Sequence, residues 1–287
     1  MLAPVKLRPG APDDGAACGR IAYEAFGSIS SGHNFPNDFP SIEIAIRELT
    51  SLLNNPGFYS VVAEIDGQVV GSNFLDERSP IAGLGPITVD PKLQNRRVGR
   101  LLMLDTLNRA EAQRHPGVRL VQAAYHNRSL SLYAKLGFQV REPLACLQGS
   151  QIGEAIPNHT VRPAVEADLE ACNRLCVRVH GHDRAGELRE AIAAGTAVVV
   201  DYTGGMSGYA TAVGFDGHAV GETNEDLKAM LAAARVFAGP GILVPTRNSA
   251  LFRWCLDNGL RVVQVMTLMS RGLYNEPAGA YLPSILY

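Results

Sequence analysis

The sequence predicts a mixed α/β protein, with mixed central sheets flanked by helices, built as a tandem duplication of one fold. Three observations point there. Strand-like and helix-like segments alternate along the chain, which implies a sheet covered by helices. A stretch near the start recurs 154 positions later without a gap. The 287 residues are too many for the commonest single domain and comfortable for two of about 140 each.

The recurrence is dense. Leu7 to Gly27 reads LRPGAPDDGAACGRIAYEAFG, and Val161 to Gly181 reads VRPAVEADLEACNRLCVRVHG. Arg8-Pro9 matches Arg162-Pro163, while Asp14, Ala17, Cys18, Arg20 and Gly27 match Asp168, Ala171, Cys172, Arg174 and Gly181. Such agreement reads as a duplicated strand, loop and helix. A second echo closes each half: Asn127, Leu130 and Tyr133 resemble Asn248, Leu251 and Trp254, followed by Gly137 and Gly259 and then an apolar strand. Aligned on the asparagines, Trp254 takes the place of Tyr133. The polar, Gly- and Pro-containing stretch QGSQIGEAIPN separates the copies, giving domains at residues 1–148 and 159–287.

In order along the first copy, a strand is expected at Val5–Arg8 and a helix after Asp13-Asp14. A helical pattern covers Ile42–Leu53. Tyr59–Ile65 and Gln68–Phe74 alternate as a hairpin, with Asp66-Gly67 as a strong two-residue turn signal. Leu84–Val89 reads as one strand, Gly99–Arg114 as a helix and Arg119–Ala124 as a strand. Ser129–Lys135 is helical and Phe138 begins the last strand. The second copy repeats the order with Ala197–Asp201, Gly208–Val213, Asn224–Phe237, Ile242–Pro245, Ala250–Asp257 and Arg261–Met269. Its tail, Tyr274 to Tyr287, is too apolar to hang free. It is expected to pack back onto a sheet or onto a neighbouring subunit, as in a homodimer.

A hydrophobic fraction of 46% and a charged fraction of 19% let both halves bury a core. No apolar run approaches the roughly 20 residues of a membrane helix, and the start lacks the layout of a signal peptide. No membrane association and a cytoplasmic location are therefore expected. Five cysteines at irregular spacings, without a paired metal-ligand pattern, read as reduced and buried. His180 and His182 beside Asp183 lack a third ligand at workable spacing, so no metal is expected.

The net charge of −2 gives no reason to expect nucleic acid. The first 150 residues carry 15 basic against 14 acidic side chains, and the remainder 11 against 14. Within the first half, Lys92, Arg96, Arg97 and Arg100 crowd into nine residues. They follow a strand and precede an apolar-periodic helix beginning near Gly99. A helix start offers unpaired backbone N–H groups and the positive end of the helix dipole, which suits a pyrophosphate. The arginines add charge-assisted bonds to phosphate oxygens.

This layout resembles the acyl-CoA signature of the GNAT superfamily of N-acetyltransferases, Gln/Arg-x-x-Gly-x-Gly/Ala after a strand ending Val-x-Pro. Val89, Pro91, Gln94, Gly99, Leu101 and Leu102 match it, and Arg97 stands where the first glycine is usual. Asn127, Leu130, Tyr133, Lys135, Gly137 and Phe138 are similar to the ending Asn-x-x-Ala-x-x-Leu/Phe-Tyr-x-Lys-x-Gly-Phe. The resemblance covers residues 5–147 clearly and 159–287 weakly, and it implies acetyl-CoA as cosubstrate. The backbone of Ile87, Thr88 and Val89 would pair with the pantetheine arm. Gln94, Arg96, Arg97, Val98, Gly99, Arg100 and Leu101 would line the pyrophosphate path. Asn127 would bond near the acyl or pantetheine portion, and Tyr133 would protonate the departing thiolate. The implied activity is transfer of an acetyl group to an amine of a small molecule or peptide. A longer acyl group, a hydroxyl acceptor or a non-catalytic acyl-CoA-binding role remain as alternatives.

No carboxylate stands on Ala82–Thr88, where many family members carry a basic Glu. Asp76 and Glu77 lie one loop earlier, so water or a residue of the second copy is expected to take the proton. At the phosphate-loop position the second copy places Glu222, Glu225 and Asp226, which would repel a diphosphate. His180, His182, Tyr209, His218 and Arg247 are its remaining polar candidates for contacting a substrate.

Overall fold

The structure, a computed structural model, describes residues 4–94 and 96–286. By compactness the chain forms two units. The first spans residues up to Leu120, His126–Gly137 and Leu286, and the second spans Val121–Tyr125 and Phe138–Ile285. This division does not coincide with the repeat boundary, because Phe138–Gln148 groups with the second unit.

The first unit runs β1 (Lys6–Pro9), α1 (Gly15–Gly32), α2 (Ile42–Asn54), β2 (Phe58–Ile65), β3 (Gln68–Asp76), β4 (Ile81–Leu84), β5 (Thr88–Val89), α3 (Val98–Ala112), the start of β6 (Gly117–Ala123) and α4 (Asn127–Lys135). Strands β1, β2 and β3 pair antiparallel, β3 continues to β4 and β5, and β4 lies parallel to β6. The β2–β3 turn falls on Asp66 and Gly67, both at positive φ (50° and 76°), as an Asp-Gly hairpin turn requires. Cys18 and Ala22 of α1 and Leu49 of α2 bury against Val62 and Phe74 on one sheet face. Helices α1 and α2 approach closely enough that a Cβ on Gly19 would lie 2.3 Å from the Ile46 Cα, so only glycine fits. On the other face, Val98 and Leu102 of α3 bury against Val61, Ala63 and Val70, with Ile87 and Val89 packed alongside.

The expected single strand at Leu84–Val89 is interrupted, and β4 and β5 are separate. Gly85 sits at φ 135°, and Pro86 has no N–H to add to a ladder. Across the break the register against β3 slips by one residue. Such a bulge re-aims the strand that follows it.

The second unit comprises β7 (Gln139–Gln148), β8 (His159–Pro163), α5 (Leu169–His180), α6 (Ala185–Ala193), β9 (Val198–Tyr202), β10 (Gly205–Ala210), β11 (Ala219–Gly221), α7 (Asn224–Ala233), β12 (Ile242–Pro245), α8 (Ser249–Asp257), β13 (Arg261–Gly272) and β14 (Ala280–Leu282). Strand β7 lies between β12 and β13, antiparallel to both. A five-stranded sheet has the order β14-β11-β10-β9-β8. Among the described residues no helix is long and apolar enough to cross a membrane.

The repeat noted in the sequence is repeated in atomic detail. Arg8 forks onto both carboxylate oxygens of Asp14 (2.7 and 2.8 Å) and donates from Nε to Glu64. Arg162 does the same to Asp168 (2.7 and 2.8 Å) and Asp201. Each Asp also accepts a backbone N–H three residues earlier, from Ala11 or Val165, which fixes the turn into α1 or α5. The second echo is corrected by one position. Helices α4 and α8 have nine residues each, capped by His126 and Asn248 and closed by Gly137 (φ 89°) and Gly259 (φ 85°). In that register Tyr133 corresponds to Cys255, and Trp254 corresponds to Leu132.

Arg8 holds the Asp14 carboxyl below the usual carboxylate range, through hydrogen bonds that outweigh its desolvation. A depressed carboxylate stabilises the fold above its unfolded pKa near 4, and this is lost as pH falls through the lower folded value. Arg8→Met should therefore cost about 1–2 kcal/mol at pH 7, allowing for screening of the partly exposed guanidinium. In urea unfolding, the gap from wild type should close below about pH 4. A gap independent of pH would assign the effect to lost packing instead.

Candidate functional site

The site is built on β5 and the start of α3. Strand β5 pairs with β3 through Gly71↔Val89 and Ser72↔Thr88, and Asp90 N–H donates to the Val70 carbonyl at 2.9 Å. In an antiparallel ladder bonded and non-bonded pairs alternate. Thr88 and Asp90 therefore spend their backbone groups on β3, while those of Val89 and, by alternation, Ile87 turn outward. Among the described residues β5 has no strand on that outward edge. The Thr88 side chain is not part of this edge: it is buried, with its hydroxyl 3.3 Å from that of Ser72.

One turn further, the chain enters α3 through Gln94 and Arg96–Arg97. Arg97 occupies the N-cap at φ 64°, ψ 5°, a left-handed conformation, and α3 has no side-chain cap. Its first intrahelical bond is Leu101 N–H to the Arg97 carbonyl, so the N–H groups of Val98, Gly99 and Arg100 lead out of the helix. Val98 is buried and pins this turn to the sheet, while Arg96, Arg97 and Arg100 are exposed around it. A methyl group on Gly99 would meet Val89 at 3.7 Å and Leu132 at 3.8 Å, ordinary contacts. Gly99 thus lies between the β5 edge and α4, and nothing in the protein itself demands a glycine there. Leu101, at 36% exposure, lies on the outer side of the helix.

Helix α4 supplies two residues that the sequence reading overlooked. Arg128 donates to the Gln94 side-chain oxygen, adding a fifth cation to Lys92, Arg96, Arg97 and Arg100. His126 caps α4 by accepting Ser129 N–H on Nδ1 at 3.0 Å, so its proton sits on Nε2, and burial lowers its pKa. No sequence motif marks either residue, because both act through tertiary neighbours. Asn127, expected to contact the acyl arm, is the exposed first residue of α4 rather than its cap. Tyr133 is buried, and desolvation pushes its phenol up to about 12, with Ser129 one turn earlier as hydrogen-bond partner. Asp76 and Glu77 are held in ion pairs by Arg78 and Arg109 (2.8 Å each).

The acidic cluster of the second unit is dispersed. Glu222 pairs with Arg178 and Glu225 with Lys228, both at the surface, whereas Asp226 is buried at 2% exposure. Asp226 accepts from Thr223 N–H at 2.8 Å and closes the start of α7 as a capping box. Tyr209, His218 and Glu187 form a buried chain, with Tyr209 hydroxyl to His218 Nε2 at 2.9 Å and His218 Nδ1 to Glu187 at 3.1 Å. Arg247 is engaged by Glu142 and Glu276, and His182 Nδ1 faces the His180 carbonyl.

The candidate site thus combines an outward strand edge with an arginine-rich helix start that has no side-chain cap, and Tyr133 lies on the helix α4 that follows. The profile of the acetyltransferase (GNAT) domain matches residues 56–140, which span β2 to the start of β7 and hold the whole site. Residues 56–140 thus read as a GNAT acetyltransferase domain. Solved structures of similar fold include a Pyrococcus horikoshii protein of the acetyltransferase type, 17% identical over 96% of this chain and 92% of that one, with a TM-score of 0.75. A GCN5-related N-acetyltransferase from Sphaerobacter thermophilus is 16% identical over 96% and 98%, with a TM-score of 0.61. A tandem GNAT protein from the clavulanic acid biosynthesis pathway is 13% identical over 94% and 98%, with a TM-score of 0.58. These likenesses establish a tandem GNAT fold over nearly the whole chain. No curated protein matches it.

A non-glycine residue in the left-handed region costs roughly 1–2 kcal/mol, part of which glycine returns through its freer unfolded chain. Arg97→Gly should raise stability by about 0.5–1 kcal/mol, seen as a higher urea midpoint at unchanged slope. A lower midpoint would mean that the Arg97 side chain holds the loop.

Proposed function

We propose that the first unit transfers an acetyl group from acetyl-CoA to an amine of a small molecule or peptide. The observation that carries this reading is the pairing, within one unit, of the outward β5 edge with the uncapped start of α3. The residues fit the cosubstrate. Ile87 and Val89 offer backbone donors and acceptors to an amide-bearing arm. Val98, Gly99 and Arg100 offer N–H groups to a diphosphate, and Arg96, Arg97, Arg100 and Arg128 supply charge. Thr88 contributes through its backbone, and Gln94 by orienting Arg128.

Acyl transfer forms a C–N bond and breaks the C–S bond, so the amine loses a proton and the leaving thiolate must be stabilised. Tyr133 remains protonated across the physiological range because burial disfavours its phenolate. It is the group on α4 suited to donate to that sulfur, as a general acid or hydrogen-bond donor. With Asp76 and Glu77 neutralised by arginines, water carries off the amine proton. Holding the thioester and the amine together supplies a further share of the rate.

Tyr133→Phe should lower kcat by about 10- to 10⁴-fold while leaving the Kd for CoA within about twofold. Turnover equal to wild type, in an assay of thiol release where chemistry limits the rate, would return Tyr133 to a packing role. Gly99→Glu brings a carboxylate to the anion path and should abolish CoA binding in calorimetry with the fold intact. Retained CoA affinity would move the diphosphate away from α3.

A further inference from the structure

The second unit rebuilds the same scaffold and fills it from within. Hairpin β9–β10 closes on Tyr202↔Gly205 as β2–β3 closes on Ile65↔Gln68. Both hairpins then skip one residue at the same place, Val70 in β3 and Ser207 in β10. From that shared bulge the correspondence is unambiguous: Gly71 pairs with Val89, and Gly208 pairs with Gly221. Asp90 N–H donates to the Val70 carbonyl, and Glu222 N–H to the Ser207 carbonyl, both at 2.9 Å. Strand β11 is therefore the counterpart of β5, with Ala219, Val220 and Gly221 standing for Ile87, Thr88 and Val89. Helix α7 is likewise the counterpart of α3.

By the same alternation, the backbone groups of Ala219 and Gly221 turn away from β10. In this unit they meet a partner, because the C-terminal strand β14 pairs antiparallel along that edge through Ala219↔Leu282, Val220↔Tyr281 and Gly221↔Ala280. The tail is fastened before it arrives, by Asn275 Nδ2 to the His180 carbonyl (3.2 Å) and Ala278 N–H to the Val179 carbonyl (2.8 Å). The helix start is filled as well. Asp226 Oδ2 accepts from Thr223 N–H and Thr223 Oγ1, and Oδ1 accepts from Ser207, the residue at the shared bulge. One of the N–H groups that α3 leaves open thus has a partner here, because Thr223 Oγ1 accepts from Glu225 N–H (3.2 Å), the counterpart by helix position of the Gly99 N–H.

Resting on the reading of β5 and α3 as the CoA site, we propose that β14 is the resident internal occupant of a second, latent CoA cleft. The strand takes the place of the extended arm, and the Thr223 cap takes up one of the helix-start N–H groups that a diphosphate would use. The acidic side chains at Glu222 and Glu225 do not close the cleft, since surface cations balance them. Occupation from within does, and it sets the stoichiometry at one CoA per chain.

The test uses the whole chain carrying Ala280→Pro, Leu282→Pro and Thr223→Ala, which break the β14 ladder and free the Glu225 N–H. Calorimetry with CoA should give one site in wild type. The triple variant should show a second site at least about tenfold weaker than the first. Amide exchange at Ala219 and Gly221, slow in wild type, should quicken by about 100-fold or more. Two sites in wild type, or fast exchange of Ala219 and Gly221 there, would overturn the proposal. So would a single site in a triple variant that keeps first-unit CoA binding and protected β9 and β10 amides. Should that variant not fold, Leu282→Pro alone must still quicken Ala219 exchange, and unchanged exchange counts against the plug. Absence of any CoA binding in wild type refutes the reading of the first unit instead, so the two failures are separable.

Discussion

The structure turns on the outward edge that follows the break at Gly85-Pro86. A strand presents N–H and C=O groups on both sides, and each must find a partner. Beyond the break, β3 satisfies one side of β5 and leaves Ile87 and Val89 directed outward. Such an edge can accept a chain that hydrogen-bonds as a strand does, which is the part the arm of the proposed cosubstrate would play. Its orientation depends on the one-residue slip against β3 and on the apolar cluster that clamps Ile87, Val89 and Val98 to the sheet. The same obligation in the second unit is met by the three residues of β14, from the same chain.

The two helix starts obey the same rule with opposite charges. A helix leaves its first N–H groups without intrahelical partners and carries a partial positive charge there. In α7 the chain answers with Thr223 and Asp226, a stable and self-contained solution. In α3 it answers with no side-chain cap, a strained Arg97 and further arginines, which would repel one another unless an anion gathers them. Strain and unbalanced charge at a helix start are local costs, and the diphosphate of the proposed cosubstrate would relieve them. The contrast within one chain separates what the fold needs from what the ligand needs.

Much of this was legible in the residues. The duplicated Arg-Pro and Asp spacing announced two copies of one turn, and Arg8–Asp14 and Arg162–Asp168 show why: a bidentate pair closes the loop into each helix. The Asp66-Gly67 turn, the basic cluster before Gly99 and the terminal Gly-closed helices were equally visible, because each is specified by neighbours in sequence. Misreadings arose where a local likeness stood in for a register. Matching Asn127 to Asn248 placed Trp254 opposite Tyr133, whereas the positive-φ glycines, which backbone geometry cannot shift, place Cys255 there. Reading Leu84–Val89 as one strand missed the bulge, since apolar alternation carries no mark of a register slip.

The sequence by itself determined the elements, their duplication and the chemistry available at the first helix start, since periodicity, turn residues and charge clusters act over a few positions. Only the tertiary structure decided which strand edges are satisfied and by whom. That Tyr281 lies beside Val220, or that Arg128 reaches Gln94, depends on contacts between residues far apart in the chain. Three residues of β14 have no strand propensity strong enough to announce themselves. They become a strand because β11 offers an unpaired ladder, and a hydrogen-bonding edge is a property of the assembled sheet rather than of any segment within it.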